Sequence, residues 1–510
     1  MQSSWLIGQY PAFPLIDGNH TVDVVVVGGG ITGISIAYEL KKRGLKVCVL
    51  ERDRIAHSDT GHSSAHLTYI TDRPLHRLAS EVGLHAAIAV WHAGEAALNL
   101  IYDTVEQEGL SCGYRRVSGY YHVTPMGMDD DESEVRREAQ LLARTRFDTT
   151  VQESVPLFGR PGVEFLGQAK FHPVDYTISL AQLVHGGGCT VFEHSQVTDF
   201  EADTFHIRSN GWRVSAKSVV IATHTPVLGA MRAIQAATFQ SKLYPYTTYA
   251  LRVRMPKSVV PEALFWDTHV PYYYVRIDAG EDCDYAIVGG KDHKTGQALQ
   301  PERSLNELQS YVSSFLPAPQ VVQRWSGQVI ETYDSLPFIG RLTDNLYVAT
   351  GFGGNGMTFG ALSGLIIAQE IVGKMTPWSD LFSPHRKGIL AGGFRYLREN
   401  FDYPFYMVMD RIAPQEMSAL GNVEKDSGAI VQIAGKRVAA YRSEDGVLHM
   451  LSPVCTHLGC IVHWNETERS WDCPCHGSRY TPLGAVLAGP AYQPLDPLHR
   501  TSSPEGASLL

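Results

Sequence analysis

The chain has 510 residues, 44% of them hydrophobic and 19% charged, with a formal net charge of −10. That length supports two to four domains with real cores, and the composition excludes a disordered chain. A modestly acidic sequence without a basic stretch argues against nucleic acid and against an anionic membrane surface as partners. No run of 18 or more apolar residues is present, so no transmembrane segment is expected. Met1 to His20 lacks the basic start and apolar core of a secretory signal, and the expected compartment is the cytoplasm.

In chain order, Thr21 to Val27 is a short apolar, β-branched run that reads as a buried parallel strand. It runs directly into Gly28-Gly29-Gly30-Ile31-Thr32-Gly33, a GxGxxG. Ile31 to Arg43 then carries apolar residues at helical spacing and stops at Gly44. A second strand, Lys46 to Leu50, finishes at Glu51. Gly28 permits the tight turn, Gly30 lets the backbone approach a pyrophosphate, and Gly33 lets helix and strand pack closely. The helix N-terminus then faces the phosphates, and Glu51 can bind ribose hydroxyls. A glycine-rich turn in an ordinary α/β protein is the plainer reading. Here, however, strand, helix, second strand and terminal acid all fall where a dinucleotide site needs them.

Val219 to Thr223 (VVIAT) is another short strand ending in small residues. Further on, Asp334 to Gly340 leads to a strand at Leu346–Ala349, a glycine turn and a helix start rich in small residues. Such a second helix N-terminus can point its amides at O2 and N1 of a flavin, where negative charge gathers on reduction. FAD is therefore expected rather than NAD, the alternative being a second βα unit without a ligand. From about Met375 to Leu420 the sequence becomes rich in aromatics, arginine and proline (FRYLRENFDYPFYMVMDRIAP) and reads as a connecting helix and arm. After Gly421 come short β segments, AIVQI, KRVAAYR and VLHMLS, separated by the turn pairs Ala434-Gly435 and Asp445-Gly446. Three parts follow: residues 1–374, a connection over 375–420 and a small all-β domain over 421–510.

The region from about Val22 to Gly373 resembles the glycine-oxidase and sarcosine-oxidase-like (D-amino-acid-oxidase) family of FAD-dependent oxidoreductases. The matching motifs are VVVVGGGITG, the stretch from Asp59 to Ser64, VVIATH, YYYVR…IVGGKDHKTGQ and DSLPFIG…YVATGFGGNGMT. The resemblance implies a Rossmann-like α/β FAD-binding domain of glutathione-reductase type, interleaved with an antiparallel-sheet substrate subdomain. It implies that Glu51 holds the adenosine ribose and that Thr60, Gly61, His62, Ser63 and Ser64 run past the pyrophosphate and ring. It also implies that Gly353, Gly354, Asn355, Gly356, Met357 and Thr358 meet the pyrimidine end of the flavin. Val197, in a strand-like SQVTDF, is the implied backbone contact of the adenine. Some relatives attach FAD through a histidine in the segment that holds His62; no such link is expected here.

Two departures bear on substrate. Amino-acid-oxidising members tend to place an arginine in a W-x-G-x-R-x-x-T-x-D stretch, where it clamps a carboxylate; here the position is Val329. Sarcosine-oxidase-like members carry an oxygen-assisting lysine four residues before a histidine, and the position before His293 is Gly289. A simple oxidase of α-amino acids is thereby disfavoured. His66, Tyr274, Arg276, His293 and Gln328 are the candidate catalytic residues, each polar or aromatic inside a family motif. A histidine of near-neutral pKa can take the proton from an amine or alcohol, although a structural histidine is the commoner outcome.

Near the C-terminus stand Cys455-Thr456-His457-Leu-Gly-Cys460 and Cys473-Pro-Cys475-His476-Gly-Ser478-Arg-Tyr480. Each segment puts one thiolate and one imidazole on a tight loop. Facing each other, two such loops can give one iron two sulfurs and the other two nitrogens, which is Rieske ligation. Tetrahedral zinc suits the same four donors. The region from about Ala429 to Leu495, including Gly489-Pro490-Ala491, resembles Rieske domains throughout. That resemblance implies Cys455, His457, Cys473 and His476 as [2Fe–2S] ligands. It further implies a Cys460–Cys475 disulfide tying the two loops, with Ser478 and Tyr480 as hydroxyl donors to cluster sulfurs that raise the potential.

A flavin accepts two electrons at once and can release them singly, whereas a Rieske cluster carries one at a time. The sequence thus reads as an FAD-dependent dehydrogenase of a small amine-type substrate, with electrons passing through the cluster to an external redox protein or quinone. Two rivals are an oxidase with a structural or regulatory cluster, and a flavin/Rieske electron-transfer module serving a redox partner. A closed aromatic-lined cavity over the flavin would favour an enzyme, and an open flat face the module.

Overall fold

The computed structural model describes residues 3–127, 131–201, 206–226, 239–298, 300–386, 395–396, 398–400, 406 and 420–498. Most of the aromatic, arginine-rich connection therefore lies outside the described residues.

Val24–Val27 and Val47–Leu50 are buried at every position, as strands covered on both faces must be. They are the middle of a six-stranded sheet with the order Phe338–Thr343, Leu346–Thr350, Ser218–Ile221, Val24–Val27, Val47–Leu50, Thr190–Phe192. All neighbours are parallel except the first pair. The helix Ile31–Lys42 follows the glycine turn, and the helix Gly356–Ile371 follows the strand Leu346–Thr350. These two helices pack closely through glycine: a Cβ on Gly360 would sit 2.7 Å from the Thr32 hydroxyl, and one on Gly364 would sit 2.7 Å from the Ser35 carbonyl oxygen.

A nine-stranded sheet forms the second layer. Its long strands are Gln320–Thr332, Leu243–Met255 and Asp284–Lys294, paired antiparallel. Tyr274–Asp278, Ala263–Asp267, Arg115–His122 and Gly162–Lys170 continue it, and His66–Leu67 pairs with the last of these. The interleaved substrate subdomain is thus present, with one parallel pair inside it, Ala263–Asp267 on Arg115–His122.

The C-terminal part folds as two small antiparallel sheets, one of Ser427–Ile433, Lys436–Arg442 and Leu448–Leu451, the other of His463–Asn465, Ser470–Asp472, Arg479–Tyr480 and Val486–Ala488. Ala434 and Gly435 both have positive φ (49° and 80°), the two-residue turn that matches strand twist. This domain has its own core around Trp471, Tyr480 and Leu495. Among the described residues no helix is long and apolar enough to cross a membrane.

Candidate active site and metal centre

The glycine turn works by close approach. Gly28 has φ 109°, and a Cβ there would lie 2.4 Å from the Ala222 carbonyl oxygen. A Cβ on Gly33 would lie 1.9 Å from the Gly28 carbonyl oxygen, so only glycine lets the helix sit on the turn. Gly30 opens the helix with no side-chain cap, which leaves N-terminal amides for an anion. Thr60 closes over this turn and accepts from the Ile31 N–H at 3.0 Å. Glu51 is buried, and its two oxygens accept from the N–H groups of Gly29 (2.6 Å) and Asp53 (2.8 Å). Burial raises its pKa, while those amides pull the other way. Its remaining lone pairs are available to ribose hydroxyls.

From this turn a cavity of about 530 Å³ runs towards the nine-stranded sheet. Of the expected cofactor contacts, Gly28, Gly30, Glu51, Thr60, His62, Ser63, Ser64, Val197, Gly353, Gly354, Asn355, Gly356 and Met357 line it. Gly33, Gly61 and Thr358 do not. Gly33 and Gly61 are packing positions, and Thr358 donates to the Thr68 carbonyl at 2.9 Å. Asn355 reaches the Ile70 carbonyl at 2.8 Å, fixing the second glycine turn to the segment after His66. The helix Gly356–Ile371 likewise begins without a side-chain cap, so its positive end is free for a flavin's electron-rich edge.

The five expected catalytic residues separate. His66, Tyr274 and Gln328 line the cavity; Arg276 and His293 do not. Arg276 bonds the Ala65 (2.8 Å) and Phe171 (3.0 Å) carbonyls and Asp278 (3.0 Å), so it anchors the cofactor-facing segment. His293 contacts the Tyr249 hydroxyl (3.2 Å) and the Lys294 carbonyl (3.0 Å). His66 stands edge-on to Tyr274 with ring centroids 5.4 Å apart. Burial, and then the Arg276 charge, lower its pKa to about 3. The expectation of a near-neutral histidine base therefore fails at His66, because the imidazole is too deeply desolvated to take an ammonium proton.

Sequence reasoning missed Asp72, Thr248, Tyr272, Asp292, Glu331 and Arg395, which also line the cavity. Asp72 accepts from the Tyr272 hydroxyl and from the Gly354 N–H, both at 2.7 Å. Glu331 pairs with Arg395 from the connecting segment. Val329 lines the cavity where relatives place their carboxylate clamp. At Gly289 a Cβ would meet Tyr274 Cζ at 2.2 Å, so the phenol ring occupies the place of the oxygen-assisting lysine.

The second centre lies in the C-terminal domain. Cys460 and Cys475 form a disulfide, while Cys455 and Cys473 are free thiols and buried. The sulfurs of Cys460, Cys473 and Cys475 lie within 4.8 Å of one another, but the disulfide takes two of them out of metal binding. Cys455 and Cys473 share a hydrogen bond, which lowers the first and raises the second. His457 and His476 stand edge-to-face at 5.0 Å. Burial lowers them to about 4 and about 3, keeping both imidazoles in the neutral, ligating form. Two thiols and two imidazoles on facing loops fit a Rieske cluster. The Tyr480 hydroxyl lies 3.1 Å from the Cys455 sulfur and 3.2 Å from the Thr456 N–H. Ser478 differs from its expected role, since its hydroxyl oxygen accepts from the Ala491 N–H at 3.0 Å and so also holds the closing loop. Closing the 15-residue separation by a disulfide removes unfolded-state entropy. Cys460→Ser with Cys475→Ser is expected to cost this domain about 3 kcal/mol, read as a lower denaturant midpoint for bleaching of the cluster's visible bands.

The two centres are joined. Gln328 lines the cavity, and its Nε2 donates to the carbonyl of Gly477, next to His476, at 3.0 Å. Its Oε1 is buried and has no hydrogen-bond partner among the described residues. His457 Nε2 contacts Gln240 Oε1 at 2.9 Å, Gln297 donates to the Pro474 carbonyl at 3.0 Å, and Arg52 donates to the Leu487 carbonyl at 2.9 Å.

Known proteins match both parts. YhfW of Bacillus subtilis, whose name describes a Rieske 2Fe-2S iron-sulfur protein, is 28% identical over 495 residues, covering 95% of each chain. Gamma-glutamylputrescine oxidoreductase of Escherichia coli is 24% identical over 387 residues, 72% of this chain and 85% of that one. The crystal structure of glycine oxidase from Geobacillus kaustophilus shares the fold, with a TM-score of 0.60 and 18% identity over 72% of this chain and 99% of that chain. With residues 23–370 matching the FAD dependent oxidoreductase profile and 414–499 the Rieske [2Fe-2S] domain profile, the chain belongs to the FAD dependent oxidoreductases and ends in a Rieske domain.

Proposed function

We propose that this protein is a dehydrogenase that oxidises a small amine and delivers the electrons through its own Rieske cluster to an external redox protein or quinone. The observation that carries this reading is Gln328, which lines the flavin cavity and bonds the loop of the cluster ligand candidate His476. Bound FAD supplies the two-electron acceptor, and the cluster supplies a one-electron outlet. The protein holds both in one body: Glu51 and the glycine turn for the dinucleotide, and Cys455, His457, Cys473 and His476 for the iron. Val329 and the Tyr274 ring at Gly289 argue against a carboxylate clamp and against the lysine-assisted oxygen route. An enclosed cavity rimmed by Tyr246, Tyr272 and Tyr274 favours an enzyme over a bare electron-transfer module. The name of the Escherichia coli relative supports an amine-type substrate.

The test is an anaerobic stopped-flow screen of amines, amino acids and alcohols that follows flavin and cluster absorbance together. An amine is expected to bleach the flavin first and the Rieske bands second. Flavin bleaching with unchanged Rieske bands would remove the relay.

A further inference from the structure

The strand Asp284–Lys294 does not keep simple alternation. Against Leu243–Met255, Gly290 faces Tyr249 and His293 faces Thr247, so Thr248 alone opposes both Lys291 and Asp292. Lys291 has φ 57°. This bulge reverses which side chains face inward. Asp292 thereby reaches the cavity lining, and His293 turns instead to the Tyr249 hydroxyl. Asp292 Oδ1 is buried and has no hydrogen-bond partner among the described residues, and Thr248 bonds the same carboxylate.

The groups facing Asp292 come from several elements. Tyr272 and Tyr274 stand beside it, and His66, held neutral by burial, stacks on Tyr274. Glu331 is paired with Arg395, and Asp72 is bonded to Tyr272 and Gly354. Burial, followed by the charges of Glu331 and Asp72, raises Asp292 to about 7 against the pull of Thr248. A carboxylate left unpaired in an aromatic pocket is completed by a cation.

We infer that Asp292 seats the ammonium of the substrate and removes its proton, so that the substrate is a cationic amine held by carboxylate and tyrosine. This rests on the amine reading above and extends it to a named residue. In the proton step one N–H bond of the ammonium breaks and an O–H bond forms on Asp292 Oδ1, leaving a neutral amine. The nitrogen lone pair then forms the C=N bond as the α C–H bond breaks, and that hydrogen leaves with its electron pair to FAD. The products are an iminium ion and two-electron-reduced cofactor. A buried neutral His66 cannot do this, and His293 faces away.

The test titrates the FAD-loaded full chain with benzyltrimethylammonium or benzoate at pH 6 and pH 8, reading the flavin absorbance shift. Wild type is expected to bind the ammonium probe about tenfold more tightly at pH 8, where Asp292 is ionised, than at pH 6. Asp292→Asn is expected to lose at least about tenfold at pH 8 together with the pH dependence, and Asp292→Glu to keep that dependence. Melting of Asp292→Asn at pH 8 is expected at a higher temperature than wild type, because a buried charge is removed. Unchanged ammonium binding in Asp292→Asn would overturn the assignment of Asp292 and leave the amine class standing. Binding of benzoate in place of the ammonium would sink both. Photoreduction of the flavin, followed by the cluster EPR signal, checks the relay without any substrate. A cluster that stays oxidised there removes the relay alone.

Discussion

Cys473→Ser is expected to abolish the Rieske EPR signal and the acid-labile sulfide while leaving a yellow protein whose flavin is still reduced. A serine hydroxyl does not replace the thiolate that, with Cys455, completes the sulfur side of the site. The loop itself should persist. The Cys473 N–H donates to the Ser478 carbonyl at 2.8 Å, the Gly477 N–H donates to the Cys473 carbonyl at 3.0 Å, and Cys475 is tied to Cys460. Contacts with the flavin domain also survive, since Gln297 and Gln328 reach backbone carbonyls of this loop rather than the thiol. Substrate-driven flavin reduction should therefore stay near the wild-type rate, whereas electron delivery to an added acceptor falls by at least about 100-fold, from loss of a ligand where outer-shell changes already cost 10–100-fold. Iron and sulfide analysis, EPR after dithionite and anaerobic turnover with a redox dye read the three quantities. Acceptor turnover that persisted without iron would mean that electrons bypass the cluster.

Gly33→Val is expected to release FAD while leaving the cluster in place. Its Cβ would sit 1.9 Å from the Gly28 carbonyl oxygen, inside the turn that brings the helix N-terminus to the phosphates. The helix cannot back away freely, because Gly360 and Gly364 already pack it against the helix Gly356–Ile371. Overpacking of this kind costs about 1–3 kcal/mol. Spent on the bound form, it weakens FAD by roughly 10- to 100-fold. Flavin release on desalting and fluorescence titration measure the loss. The Rieske domain has a separate core around Trp471 and Tyr480, so its EPR signal is expected unchanged. Full FAD retention in this variant would mean that the glycine turn does not carry the phosphate site.

Features carried by consecutive residues were legible without a structure. The glycine turn, Glu51 at the end of the second strand and the two Cys/His loops each depend on short-range geometry, and the buried strands announce themselves as apolar runs. The inward face of a long antiparallel strand is different, because it depends on its partner. One extra residue opposite Thr248 exchanges His293 for Asp292, and nothing in Gly-Gly-Lys-Asp-His states that count. Arg276 had the sequence setting of a catalytic residue, yet packing gives it three backbone carbonyls and Asp278. Domain docking is less legible still. Gln328 meets Gly477 across 149 residues and Gln240 meets His457 across 217, through surfaces that exist only after each core has folded. The sequence by itself determined which cofactors the chain is built for, because their cradles are local. Only the tertiary structure decided which acid enters the flavin cavity and how the cluster sits beside it, because pairing register and docking are set by contacts between distant segments.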